Sequence, residues 1–193
     1  MTETELFTLV IATLKAQLAA LGIITPDYPV AIQQAFQTKL SGAPSGPTVL
    51  LYIAGRRRYG WLQRKDEWIP ATPPAPGVMR HTETQQMQMT IQANALVGPP
   101  PTPGVKAKPP PVYTAGDLLD WTSAALQSDA GLKQLRTGGV GIERITDIRT
   151  PYFKDETDQF EASPSFDFTL DFKWSIVTDV PIIEATEIQI VPI

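Results

Sequence analysis

Two stretches alternate apolar and polar residues with a period of two, and that rhythm limits the possible folds more than any other feature. In "MRHTETQQMQMTIQANAL", Met87, Met89, Ile91, Ala93 and Ala95 share one face. Gln86, Gln88, Thr90, Gln92 and Asn94 share the other. In "FDFTLDFKWSI", Phe166, Phe168, Leu170, Phe172, Trp174 and Ile176 point one way, and Asp167, Thr169, Asp171, Lys173 and Ser175 the other. Successive side chains of a strand project to opposite faces, so each stretch predicts a long strand with one face on a core. The polar face of the first stretch is uncharged, whereas a face open to bulk water more often carries Lys and Glu.

The segments around these strands supply the other elements. Leu6, Leu9, Val10, Leu14, Leu18 and Leu21 recur at helical spacing, with Thr2 or Thr4 as cap, Glu3 and Glu5 at the positive end, and Gly22 as the stop. Residues 31–40 form a short apolar–polar run that the pattern leaves unassigned. "TVLLYI" is an apolar run of strand formers. It is followed by "AGRR" around Gly55 and then "RYGW", which together suggest a hairpin. A second helical region starts at Thr114 with Asp117 three residues on, as in a capping box. Its inner stripe is Leu118, Thr122, Ala125 and Leu126, with Gly131 as a break and Gly138–Gly139 as the stop. "VGIERITDIRTPYF" predicts a strand up to Pro151. The 19 prolines are about twice the average usage, and many fall in "GPPPTPGVKAKPPP", a stiff connector over 98–111. The order predicts an α+β fold: a mixed or antiparallel sheet flanked by two helical segments, with extended loops or arms. Residues 1–180 read as one domain, and 181–193 as a β-prone arm or edge strand.

Composition removes several classes of function. The chain has 193 residues, 42% apolar and 19% charged, which is globular rather than disordered. A net charge of -4 argues against a protein that coats DNA. There is no cysteine, hence no disulfide, thiolate catalysis or cysteine-held metal. The opening segment lacks the basic start of a signal peptide and is too interrupted for a membrane span.

No constellation supports an enzyme. The single histidine, His81, has no nucleophile signature to serve. "GGVGIERI" places its glycines before a strand, not a helix, so dinucleotide geometry is lacking. Asp155, Glu156, Asp158 and Glu161 invite comparison with a calcium loop, but the central glycine is missing and a solvated acidic loop is the better reading. No metal or cofactor is expected. Arg56, Arg57 and Arg58 with Tyr59 and Trp61 mix cations with aromatic rings, as single-strand binders do. A nucleic-acid footprint should extend over a face, however, and the chain has no other basic run. A charged hairpin corner is favoured over DNA binding. A third reading is a protein–protein anchor, for which Arg, Tyr and Trp are typical.

Four stretches in order, "RRYGW" (57–61), "RHTETQQ" (80–86), "GVGIERITDIRTPYF" (139–153) and "FEASPSFDFTL" (160–170), resemble tailed-phage neck and tail-terminator proteins. The resemblance covers most of the chain from about Val49 to Trp174. It implies a virion structural protein, assembled in the host cytoplasm, that forms a six-fold ring at the head–tail junction. Such a ring ends the tail tube and sheath, meets a head-side connector or collar, and lets the genome pass through its lumen without sequence-specific binding. Its partners would be its own copies, tube and sheath proteins and the connector, with no membrane involved. Candidate contact residues are Arg56, Arg57, Arg58, Tyr59, Trp61, Gln86, Gln88, Gln92, Phe160 and Glu161. The alternatives are another tail adaptor, such as a sheath initiator or baseplate component, an enzyme using the acidic loop, and a nucleic-acid binder using the arginines.

Overall fold

Helix α1 (Glu3–Ala20) begins where Thr2, in an extended conformation, closes a capping box. The Glu5 amide donates to Thr2 Oγ1 at 3.2 Å and the Thr2 amide to Glu5 Oε2 at 2.7 Å. Two amides that every helix start leaves orphaned are thereby satisfied. Of the two candidate caps Thr2 is the one used. Leu6, Val10, Leu14 and Leu18 are buried as their spacing predicts, joined by Phe7 and Thr13, while Leu21 falls outside the stripe and is exposed. The helix closes with the Gly22 amide on the Ala19 carbonyl and the Ile23 amide on the Leu18 carbonyl.

The computed structural model describes residues 1–35, 46–72, 77–97, 113–154, 160–162 and 164–181. The proline-rich connector 98–111, Asp155, Glu156 and Asp158 of the acidic loop, and the tail 182–193 lie outside the described residues. The strands are β1 (Ala31–Gln34), β2 (Thr48–Ile69), β3 (Val78–Leu96), β4 (Val140–Ile145), β5 (Tyr152–Lys154), β6 (Phe160–Ala162) and β7 (Ser165–Pro181). Five of them form one mixed sheet in the order β1-β2-β3-β7-β4, in which only β1 and β2 run parallel; β5 and β6 pair separately. Helices α2 (Ala115–Gln127) and α3 (Asp129–Thr137) complete the elements among the described residues. This is the expected α+β class with a mixed sheet.

The core lies between the helices and one face of the sheet's lower half. Met89, Ile91, Ala93 and Ala95 of β3 meet Phe166, Phe168, Leu170 and Phe172 of β7 and the buried leucines of α1 and α2 in one cluster. The alternation in both strands is therefore read correctly up to Met87 and Phe172. Beyond that row it persists without a core beneath it: Trp174 is half-buried and Ile176 exposed.

Three local expectations are corrected. The chain makes no hairpin at Gly55. Strand β2 continues to Ile69 and pairs with β3 along its length, with irregularities between Ile53 and Gly55 and between Tyr59 and Gln63. These are bulges, which bend a strand without ending it. The true reversal lies between Ile69 and Val78, where Pro70, Pro73, Pro74 and Pro76 cannot donate to a ladder. The second helical region breaks at Ser128, not Gly131. Ser128 is extended and caps α3 by accepting from the Gly131 amide at 3.0 Å. Finally, β4 ends at Ile145, well short of Pro151; only Arg149 makes a further bridge, to Ser165.

The second bulge is held by one buried side chain. Gly60 has φ of 70°, a conformation that costs other residues about 1–2 kcal/mol. The Gln85 amide, nearly buried, donates to the Tyr59 carbonyl at 2.8 Å and more weakly to the Gly60 carbonyl at 3.4 Å. Removing this donor in Gln85→Ala should cost about 1 kcal/mol, or roughly 2–4 °C in Tm for a domain of this size. Gln85→Glu, which sets an acceptor against two carbonyls, should cost more; thermal unfolding followed by circular dichroism checks both. The second capping box predicts an acid response. The Thr114 amide donates to Asp117 Oδ2 at 2.7 Å, and this bond, with that from the Thr114 hydroxyl, holds the Asp117 carboxyl below the usual carboxylate range. A lowered folded-state pKa gives stability that is full above the unfolded value and is lost as pH falls through the folded one. Asp117→Asn should therefore flatten the acid limb of the stability–pH curve and leave the neutral limb nearly parallel.

Candidate interaction surface

Above the core the sheet narrows to three strands and leaves the helices behind. Strand β1 pairs only with residues 48–51 of β2, and β4 only with residues 168–172 of β7. The upper halves of β2 and β7 therefore each keep an open edge among the described residues. Residues 56–68 of β2 are all exposed. At about 3.3 Å per residue, this extension reaches roughly 40 Å.

The extension leaves the core at a clasp made by the start of α1. Arg56 on β2 forms an ion pair with Glu3, whose other oxygen accepts from the Gln34 amide on β1 at 3.0 Å. On the far edge the Met1 amino group donates to the Lys173 carbonyl of β7 at 3.2 Å. One helix terminus thus touches both margins of the extension at its root.

Cross-strand neighbours sort the two faces of the extension, because directly opposed residues project to the same side. One face continues the helix-covered side: Trp68, Met79 and Val180 form one row, Glu83 and Ile176 another, and Gln85 and Trp174 a third. Among the described residues no helix lies above this mixed, largely apolar strip. The same face also carries Arg64 on Glu83 at 3.1 Å and, in the row between Met79 and Glu83, His81 Nδ1 against Asp66 Oδ1 at 2.6 Å. The opposite face is polar. There Arg80 grips Asp179 through two N–H groups at 2.7 and 2.8 Å, which hold the Asp179 carboxyl below its ordinary range and the guanidinium above its own. Thr84 and Ser175 hydroxyls meet at 3.2 Å, and Lys65 sits 2.7 Å from Glu67.

The residues singled out in the sequence divide accordingly. Arg56 is committed to Glu3. Arg57 and Arg58, exposed on opposite faces, form no ion pair among the described residues. Arg57 lies opposite Gln88 and Tyr59 opposite Gln86, so the basic run and the glutamine face do meet across one ladder. Gln88 is bonded to Glu143 and, at 3.5 Å, to Asp171, which ties β3 to β4 and β7. Gln92 sits lower, between Tyr52 and Asp167. Trp61 is thrown outward by the bulge and is 93% exposed. Phe160 and Glu161 are not part of this surface; they stand in β6, opposite Lys154 and Phe153. Trp68, Ile176 and Val180 belong to it and carry no signal in sequence beyond large apolar residues in a polar neighbourhood. Gln85 gives one: it is the first polar residue at an odd position below Met87 and so marks the end of the core.

Among the described residues no three His, Asp or Glu side chains are grouped as a metal would require, and no helix is long and apolar enough to cross a membrane. The arrangement offers large exposed side chains, two open strand edges and unpaired cations, which are the means of binding another macromolecule.

No curated protein matches the chain. Among solved structures the fold is similar to the sheath/tube terminator, in its extended state, of the PVC extracellular contractile injection system. The TM-score is 0.53 at 11% identity, over 100% of this chain and 65% of that one. At that identity the likeness is one of fold, and the present chain spans about two thirds of the other's length. The family model described as E217 gateway protein gp29 matches residues 5–182, nearly the whole chain, and in agreement with the resemblance noted above the protein belongs to that gateway-protein family.

Proposed function

We propose that the protein is a virion structural component that ends a phage tail as a ring of about six copies, joins it to the head-side connector, and encloses the path of the genome. The observation that carries this reading is the three-stranded extension. On one face it exposes Trp68, Ile176 and Val180, with Trp61 projecting from the bulge, and exposed apolar side chains on a polar ground mark an interface. A ring requires two different patches on each subunit that meet head to tail. The extension is a candidate for one of the two. Gateway-family membership and the terminator-like fold favour tube and sheath proteins as the partners below the ring. A net charge of -4 suits a lumen through which DNA slides, since positive walls would retain it.

The proposal is tested on the extension itself. Trp61→Ala combined with Ile176→Lys removes two exposed apolar side chains and no buried one, so the monomer should keep its circular dichroism spectrum and its Tm within a few degrees. Mass photometry, alone and in the presence of tail tubes, should show the intact chain forming a ring and the variant remaining monomeric. An intact chain that stays monomeric and ignores tubes would count against the ring. Tails produced without the protein should be irregular in length or fail to join heads. Arg57→Ala with Arg58→Ala reports whether these cations contribute to the same contacts.

A further inference from the structure

We infer that Trp61 of one copy inserts into a glycine-lined cleft at the opposite margin of a neighbouring copy, an inference that rests on the ring reading and names its second patch. The cleft is open, about 600 Å³ in volume, and lies where the ladder of β4 on β7 ends, at Val140 and Phe172. Gly139, Gly141 and Phe172 line it together with Gln86, Asp171 and Lys173. A Cβ built on Gly139 would meet no atom within 4 Å, and one on Gly141 only the Asp171 carbonyl oxygen, at 4.0 Å. Bare backbone thus faces open space, which lets a flat ring approach closely. Trp61, at 93%, is the most exposed large apolar side chain among the described residues and stacks on no other ring there. The chemistry matches. The indole would cover glycine backbone and Phe172, the Lys173 ammonium offers a cation for its π face, and the Asp171 carboxylate an acceptor for its N–H.

The two features lie at one height. Gln86 pairs with Tyr59 on one side and Lys173 on the other, so the start of the Trp61 bulge and the upper wall of the cleft share a row. In a ring whose axis runs along the strands, rotation carries each margin onto the next copy at unchanged height, and a closed contact requires this coincidence. Charge agrees. Two residues further along, the row of Gln88 holds Arg57 near one margin and Asp171 near the other, both on the polar face. Beyond Asp171 that row adds only Gly141, which has no side chain to shield the carboxylate. Glu143, exposed on β4 and bonded to Gln88, brings a second negative charge. Arg57 has no ion-pair partner among the described residues. Within one copy Arg57 and Asp171 stand two strands apart, about 10 Å, so a neighbouring copy supplies what each lacks.

Gly141→Leu fills the cleft at a position with room for a side chain, and Trp61→Ala removes the insert without touching the core. Each variant should keep the circular dichroism spectrum and Tm of the intact protein. Each should associate about thirtyfold or more weakly in mass photometry, alone or on tail tubes. Arg57→Glu and Asp171→Lys, made singly, should each weaken association by roughly three- to tenfold at low salt, and the two in one chain should restore it. Normal rings from either Gly141→Leu or Trp61→Ala, or a charge exchange that fails to restore association, overturn the insertion and leave the ring. Trp61→Ala rings that form normally but no longer hold tail tubes assign the indole to the tube and overturn it likewise. If Gly141→Leu does not fold, Trp61→Ala, at an exposed position, decides alone. Failure of the intact chain to form a ring, alone or on tubes, would instead remove the ring reading itself.

Discussion

Strand β3 is hydrogen-bonded on both sides along almost all of its length, and everything else hangs on that double pairing. Its lower half must be apolar on one face, because Met89 to Ala95 complete a core with the phenylalanines of β7. Its upper half has no helix over it among the described residues and could not persist as an isolated hairpin, which is marginal in water. It persists because β2 and β7 flank it over the same rows, up to Val78, Ile69 and Pro181. A strand with satisfied main-chain groups on both edges can carry mixed side chains, and β3 accordingly changes from alternating Met, Ile and Ala to Glu83, His81 and Met79 without losing register with β7.

Electrostatics support this arrangement locally. Exposed ion pairs contribute little individually, typically about 0.2–1 kcal/mol. Their placement nevertheless follows the ladder: Arg80 and Asp179 are direct cross-strand neighbours, as are Arg64 and Glu83 and also Asp66 and His81. The first two oppose charges where like charges would destabilise the pairing. The Arg56–Glu3 contact differs, because it joins the sheet to the helix layer and so fixes where the covered region stops.

Much of the fold was legible because burial imposes a period. The apolar faces of β3 and β7, the stripe of α1 and the Thr114–Asp117 capping box follow from local spacing alone. The hairpin at Gly55 was misplaced because a bulge breaks alternation just as a turn does, and the two differ only in whether the chain finds its partner again beyond the break. Here it does, with β3. The proline cluster after Ile69 was the better mark of the reversal. The exposed face of the extension was half legible. Tyr59, Trp61 and the arginines stand out by type, but Arg56 is separated from Glu3 by 53 residues and its commitment is a tertiary fact. Trp174 and Ile176 continue the apolar parity of β7, so sequence alone places them in the core. Phe160 and Glu161 were grouped with the others through family resemblance, and the topology sets them in a separate small sheet.

The shared central strand also gives the extension a mechanical character. A pull applied along β3 from its tip loads the hydrogen bonds of two ladders at once, in shear, and none yields before its neighbours share the strain. A pull across the ribbon meets them one at a time and peels an edge. The extension is thus a stiff tie lengthwise and a compliant flap sideways, with Gly60 and the adjoining bulge as the point of give. Tension along the ribbon passes straight to the row of Met87 and Phe172, where the helix layer anchors it.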